Sequence, residues 1–180
     1  NREICVCAHL TQTRYAQKAC AEMRQKMELT ENLRQQLIET AFLARRNAYT
    51  PYSHYRVGAA LLCTDGSIVT GCNIENAAFG PTICAERVAV FKAVSEKKTG
   101  TTGRNLQAIA IVGGPETEDV TEEGQELSQY AFPCGVCRQV LREFVNPQEF
   151  TVITAKSIRN YHQMTLDELL PQSFGPDNLR

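Results

Sequence analysis

Behind Thr30, apolar residues recur every three or four positions, at Leu33, Leu37, Ala41, Ala44 and Ala48, with Ile38 and Phe42 beside them. That spacing gathers them on one stripe of an amphipathic helix of four to five turns. Thr30 followed by Glu31 supplies an N-cap and an acid in the first turn. The turn at Pro51 marks the end. Two short apolar segments follow, 56–63 and 67–72, joined by Thr64-Asp65-Gly66. Apolar runs joined through an Asp-Gly predict a β-hairpin. Helical spacing returns over 84–96, and 106–112 (LQAIAIV) is a compact apolar strand stopped by Gly113-Gly114-Pro115. A further helix begins near Cys134 and carries Val140, Leu141 and Phe144, and 150–155 (FTVITA) is another strand. Thr165-Leu166-Asp167-Glu168 is a capping box opening a short last helix.

The predicted order α-β-β-α-β-α-β-α contains at least one β-helix-β crossover, so part of the sheet is parallel. The expected architecture is α/β: three layers, with helices on both faces of a mixed sheet of four or five strands. Residues 1–29 show weak helical patterning and stand apart as an N-terminal extension, poorly ordered or helical, ahead of one domain over 30–180. Residues 116–126 carry six acids and no base, which reads as a solvated loop.

Composition sharpens this picture at two points. Lys+Arg 19 against Asp+Glu 20 leaves a formal net charge of -1. A chain that holds long nucleic acid by counterion release needs a cationic surplus, so that class is disfavoured. No apolar run reaches the ~18 residues of a membrane span. The other point is eight cysteines with no Trp, which means disulfides in a small secreted chain but metal or thiol chemistry in an intracellular one.

Spacing discriminates between these. Cys84-Ala85-Glu86 puts a thiol and a carboxyl at the start of one helix, and Pro133-Cys134-Gly135-Val136-Cys137 puts two thiols in the first turn of another. Thiols at i and i+3 share a helix face, and a helix N-terminus lowers a thiol's pKa. If the two N-termini face each other across the sheet, three thiolates meet. Three thiolates suit zinc and leave its fourth position open, the pattern of a catalytic site. Glu86 then sits beside that position as a proton carrier, and Arg87 can offset the surplus negative charge of three thiolates on a dication. The rival readings are a structural zinc completed by Cys63 or Cys72, and a redox CxxC. Cys5-Val6-Cys7 with His9 could hold a second metal, but reads better as part of an exposed tail.

With these motifs in place the sequence resembles the cytidine deaminase family, in its free-nucleoside branch with cysteine as first ligand. The resemblance covers about residues 30–180, through Ser53-His54-Tyr55-Arg56-Val57-Gly58-Ala59-Ala60, Gly71-Cys72-Asn73-Ile74-Glu75-Asn76-Ala77, Cys84-Ala85-Glu86-Arg87, Pro133 to Gln139, and Leu169-Leu170-Pro171-Gln172-Ser173-Phe174-Gly175-Pro176. It implies the family's three-layer fold, one Zn2+ per chain on Cys84, Cys134 and Cys137, and Glu86 as proton shuttle. Asn73 and Glu75 match the pair that binds the ribose hydroxyls. Tyr55 matches an aromatic, usually Phe, that packs on the pyrimidine, and the Ala85 backbone matches a contact to the base edge. Phe79 and Phe174 match aromatics that complete a neighbouring subunit's site in the family's homotetramer. The implied reaction is hydrolytic deamination of cytidine and 2'-deoxycytidine in pyrimidine salvage, with neither nucleic acid nor membrane as partner. A thiolate-zinc site implies a reducing compartment, the cytoplasm with or without the nucleus.

Two departures from the family pattern bear on the site. Tyr55 and Phe79 reverse the commoner Phe and Tyr, moving a hydroxyl within the aromatic lining. The acidic stretch 116–126 lengthens the link to Pro133 and is expected to be a surface insertion. Two other readings share the Cys-Ala-Glu or PCxxC chemistry. One is a nucleic-acid editor or RNA-binding module of the same fold, disfavoured by the balanced charge and by Cys84, where polynucleotide deaminases commonly have His. The other is deamination of a cytosine-containing antibiotic, which has no need of the Asn73/Glu75 pair.

Overall fold

In the computed structural model the described residues are 28–99, 105–120 and 124–179. The N-terminal extension up to residue 27, with Cys5, Cys7, His9 and Cys20, lies outside them. The elements run α1 (Glu31–Arg45), β1 (Tyr55–Cys63), β2 (Ile68–Cys72), α2 (Ala85–Ser95), β3 (Leu106–Pro115), α3 (Gly135–Phe144), β4 (Thr151–Ala155), β5 (Tyr161–Thr165) and α4 (Leu166–Leu169), then a 3-10 turn at Pro176–Leu179. The strands form one sheet in the order β2-β1-β3-β4-β5. The β3–β4 pair is parallel, with α3 as its crossover, and the other pairs are antiparallel.

Strand alternation sorts the core into two layers. Ala59, Leu61 and Cys63 of β1 and Ile109 and Ile111 of β3 pack toward Ala85, Ala89, Val90 and Ala93 of α2 and Leu141 of α3. The intervening Ala60, Leu62, Ala108, Ala110 and Val112 pack toward Leu37, Ile38, Ala41 and Phe42 of α1 on the opposite face. Each fully buried Leu or Ile removes enough apolar surface from water to contribute about 1.5–3 kcal/mol. The three-layer α/β/α architecture with a five-stranded mixed sheet is therefore what the chain forms.

Four features differ from the sequence expectation. Helix α1 stops at Arg45, before Ala48 and the Pro51 turn, because Asn47 and Ala48 bond three residues back, to Ala44 and Arg45 at 3.1 Å each, and Tyr49 N then pairs with the Asn73 carbonyl at 3.1 Å. Strand β5 was not resolved by pattern: its Tyr-His-Gln-Met-Thr has no apolar run, because an edge strand needs only one neighbour. Strand β3 continues past Gly113 to Pro115, where Tyr55 and Arg56 of β1 still pair with it. The described acids of the 116–126 stretch are exposed, with Glu118 half-buried, yet Glu116, Glu118 and Glu126 are anchored by partners from elsewhere in the chain. Glu116 meets His54 at 2.9 Å and Arg56 at 3.6 Å. The Glu118 carboxylate accepts the Ser128 N–H at 2.9 Å. Glu126 accepts from Asn160 at 2.6 Å and Ser157 at 3.1 Å.

Arg45, at the end of α1, is 2% exposed. Its guanidinium donates to the carbonyls of Arg56 (3.1 Å), Glu118 (2.7 Å), Gly114 (3.0 Å) and Pro115 (2.6 Å). One buried cation thus ties the start of β1, the end of β3 and the acidic stretch together, its charge distributed over carbonyl dipoles.

The helices reach the sheet through glycines. A Cβ on Gly58 would lie 2.1 Å from the Ala41 carbonyl oxygen of α1, and one on Gly71 would lie 2.3 Å from the Ala85 oxygen and 2.6 Å from the Ala89 nitrogen of α2. These are backbone atoms, so relief requires moving a whole helix. Gly71→Ala is accordingly expected to cost about 1–3 kcal/mol or more, read as a lower urea midpoint with an unchanged slope. An unchanged midpoint would show that α2 has room to move.

Candidate metal centre and active site

The first turns of α2 and α3 bring the chemistry together. Cys84 is the N-cap of α2 in an extended conformation, and Cys134 occupies the same place on α3, its sulfur accepting from the Cys137 N–H at 3.5 Å. The sulfurs of Cys84, Cys134 and Cys137 all lie within 4.8 Å of one another. A tetrahedral zinc with ~2.3 Å bonds to sulfur needs its ligands about 3.8 Å apart, so this donor set fits that ion with little adjustment. Cys134 is exposed, Cys84 partly buried and Cys137 fully buried. Solvent thus reaches the cluster at Cys134.

Protons in the cluster are unevenly held. A hydrogen bond from the Cys137 thiol, helped by the Arg87 guanidinium, pulls Cys84 down to about 5, against its burial. Cys137 is pushed well up from the ordinary thiol range by giving that bond, by burial and by the nearby Glu86. The site thus contains one ready thiolate, and a bound dication displaces the remaining thiol protons. Arg87 places Nη2 3.7 Å from the Cys84 sulfur and donates to the Thr82 carbonyl at 3.2 Å.

Glu86 is 4% exposed. Burial, with the Cys84 charge adding to it, pushes its carboxyl up to about 7. It does not join the three-sulfur set. A carboxyl poised near neutrality beside metal ligands is suited to giving and taking a proton.

A second group of residues borders this cluster. Ile74 exchanges backbone hydrogen bonds with Ile83 at 3.0 Å in each direction, which lays 73–75 alongside the residue preceding Cys84. The Asn73 side chain accepts from Val57 N at 2.8 Å and donates to the Tyr55 carbonyl at 2.9 Å. Glu75 Oε2 accepts from the Tyr52 and Ser53 N–H groups at 3.0 and 3.2 Å. Tyr55 and Ala131 both crowd Gly113: a Cβ there would sit 3.3 Å from the tyrosine ring and 2.7 Å from the alanine Cβ. Tyr55 therefore stands next to the segment that leads into Cys134.

A family model described as the cytidine and deoxycytidylate deaminase zinc-binding region matches residues 31–154. The chain belongs to this deaminase family. It is 41% identical over 146 residues to a cytidine deaminase of Halalkalibacterium halodurans, covering 81% of this chain and 97% of that one. It is also 41% identical over 145 residues to a cytidine deaminase of Sporosarcina psychrophila, covering 81% and 93%. A crystal structure of cytidine deaminase from Burkholderia pseudomallei superposes with a TM-score of 0.64 at 38% identity, covering 77% of this chain and 97% of that one.

In this deaminase the structure assembles Cys84, Cys134, Cys137, Glu86 and Arg87 into one cluster, with the Ala85 backbone buried between two of them. Cys63 and Cys72, the candidate fourth ligands, stand elsewhere. Cys63 is fully buried in β1, and the Cys72 thiol donates to the Asn47 carbonyl at 3.4 Å. All five described cysteines are free thiols. Phe79 and Phe174 are 73% and 60% exposed, and Phe79 touches Tyr52 edge-on at 6.1 Å between ring centroids.

Sequence reasoning missed two supporting residues. Gln129 donates to the Tyr55 hydroxyl at 3.1 Å, a contact between positions with no sequence relation. Arg138 donates to the Pro133 carbonyl at 2.7 Å and the Leu169 carbonyl at 2.7 Å. Its place four residues after Cys134, inside the quoted motif, was the available signal. No helix among the described residues is long and apolar enough to cross a membrane.

Proposed function

We propose that the chain hydrolyses cytidine and 2'-deoxycytidine to the corresponding uridines and ammonia, with Cys84, Cys134 and Cys137 holding one zinc and Glu86 carrying the protons. The observation that carries this reading is the meeting of three thiols from two helix N-termini beside a buried carboxyl pushed up to about 7. Zinc on three thiolates supplies hydroxide at neutral pH by lowering the pKa of water at its open position.

The chain's own residues do the rest. Glu86 takes one proton from the water and, once neutral, gives it to the ring nitrogen N3 as the water oxygen bonds to C4. The Glu86 carboxylate then takes the remaining proton of that oxygen and passes it to the 4-amino group. The C4–N bond breaks, ammonia leaves, and the oxygen stays as the uracil carbonyl. Arg87 holds the Cys84 thiolate and keeps the site's net charge near neutral.

Substrate recognition follows from what each side chain has left to offer. Asn73 spends its carbonyl and one amide hydrogen on the backbone, leaving one N–H for a sugar hydroxyl. Glu75 accepts from two N–H groups at Oε2 and from the Ser53 side chain, which together hold its carboxyl below the usual range. As a carboxylate with about four lone-pair sites it still has capacity to accept from a second sugar hydroxyl. Polar groups left unpaired by a bare base discriminate against it strongly. Tyr55 packs on the pyrimidine, and the Ala85 backbone meets its edge. Phe79 and Phe174 complete the site of a neighbouring copy in a homotetramer, a role their exposure supports. Residues 30–180 act as one catalytic domain, and a thiolate-zinc site suits a reducing, cytoplasmic setting.

Zinc analysis combined with ammonia release from cytidine, deoxycytidine, cytosine, dCMP and a single-stranded oligonucleotide tests the proposal. The expected result is about one zinc per chain and turnover of both nucleosides, with cytosine slower by orders of magnitude. Turnover of the oligonucleotide but not the nucleosides would overturn it.

A further inference from the structure

We infer that Arg142 is a positioning residue, holding the C-terminal segment so that Phe174 is presented outward in one fixed place. The inference rests on the proposed reading of Phe174 as a substrate contact in a neighbouring copy, and it names what in this chain makes that contact possible.

Arg138, Gln139 and Arg142 lie at i, i+1 and i+4 of α3, on one flank of the helix that starts at the metal ligands. All three reach the same stretch of chain. Arg138 holds the Leu169 carbonyl, where that stretch begins. Gln139 Nε2 donates to the Phe174 carbonyl at 3.0 Å. Arg142 Nε donates to Ser173 Oγ at 3.1 Å, and its Nη2 meets Asp177 at 3.3 Å. The guanidinium also occupies the space beside Gly175, where a Cβ would lie 2.5 Å from Cζ and 2.8 Å from Nε and Nη1. A turn closes the far side, with Gly175 N donating to Asn178 Oδ1 at 2.8 Å and Asn178 N to the Gly175 carbonyl at 2.9 Å.

The residues on both sides of Phe174, and its own carbonyl, are thus tied to α3, and Gly175 is buried while the phenyl ring beside it is 60% exposed. Chains that bury an arginine to fix a tail do so at a cost, and Arg142 leaves Nη1 without a partner among the described residues. An exposed aromatic on an unanchored tail would have to be ordered each time it bound, which weakens binding. Arg142 removes that cost in advance, so its effect is expected on substrate binding and through Phe174 alone.

The test compares Arg142→Lys, Phe174→Ala, the double variant and Gly175→Ala by KM and kcat on cytidine. Arg142→Lys keeps the charge but loses the fork that spans Ser173 and Asp177. It should raise KM roughly three- to tenfold with kcat within about twofold, as for one ordered side chain. Gly175→Ala, which displaces the guanidinium, should do the same. The double variant should match Phe174→Ala, because Arg142 acts through that ring. An equal KM rise on adding Arg142→Lys to Phe174→Ala would mark a general structural role and overturn the inference. A raised KM in Phe174→Ala with Arg142→Lys and Gly175→Ala unchanged would overturn it too, leaving the reading of Phe174 intact. An unchanged Phe174→Ala would instead remove the reading on which the inference rests.

Discussion

Glu86→Gln is expected to leave zinc bound at about one per chain and to lower kcat by at least roughly 10²–10⁴-fold, the usual contribution of one group that moves protons. The larger end is expected, because both the transfer to N3 and the transfer to the leaving amine run through the same carboxyl. Gln preserves the volume and hydrogen-bonding of a neutral Glu86, so the three sulfurs, which lie within 4.8 Å of one another without it, keep their arrangement. Full zinc with near-wild-type turnover would remove Glu86 from the mechanism.

The same substitution has a stability signature in metal-free protein. Burial raises the Glu86 carboxyl to about 7 from an ordinary 4.5. Between those values the folded chain holds a proton that the unfolded chain has lost, so Glu86 makes stability fall as pH rises through that window. The loss is complete above pH 7 and absent below about pH 4.5. A shift of this size corresponds to on the order of 3 kcal/mol, and Gln does not ionise. Chelated Glu86→Gln should therefore be more stable than chelated wild type at pH 8, and equal to it near pH 4. Urea midpoints at the two pH values check this, and a pH-independent difference would show that packing, not ionisation, sets it.

The residues that make the site were legible because their chemistry is local. Cys84 and Glu86 are two apart, Cys134 and Cys137 three apart, and each pair sits where a helix begins. Fixed backbone geometry then decides what the side chains can share. The opposition of the two helix starts follows from the crossover rule for parallel strands, since both helices pack on one face of the sheet. The helix stripe of α1 and the capping box of α4 were legible for the same reason. In that box Thr165 Oγ1 accepts from Glu168 N at 3.2 Å, and Glu168 accepts from Thr165 N at 2.6 Å.

What pattern could not show is long-range polar pairing. Arg45 reads as a charged residue closing a helix, where the macrodipole alone favours a cation, yet it is buried with four carbonyl partners. Its carbonyl partners lie eleven to seventy-three residues away, and carbonyls leave no mark in a sequence. The acids at 116, 118 and 126 look unpaired for the same reason, since His54, Arg56, Ser128 and Asn160 come from other elements. Strand β5 escaped because its register is set by β4, with Ile153 opposite Gln163 and Thr154 opposite His162, and not by an apolar pattern of its own. Sites built from neighbours in sequence are readable, whereas clamps that join distant segments are not.

Cys137→Ser tests the metal directly and is expected to abolish both zinc and turnover. Cys137 is the fully buried member of the set, so no outside ligand can take its place without opening the first turn of α3. Serine is nearly isosteric, but its hydroxyl is a poor zinc donor at neutral pH, and two thiolates alone bind far more weakly than three. Without the metal, water must ionise from a pKa of about 15.7 instead of near 7, which leaves hydroxide scarcer by roughly eight orders of magnitude. Activity should therefore fall below detection, unlike the residual rate of Glu86→Gln. The two variants separate the roles: zinc retained without turnover for the carboxyl, zinc and turnover lost together for the thiol. Metal analysis after dialysis, with turnover measured on the same samples, checks the pair. A Cys137→Ser protein that kept its zinc and its rate would show that the ion is held elsewhere. Because metal binding to this cluster is also folding free energy, the variant's melting temperature should match that of chelated wild type and not respond to added zinc.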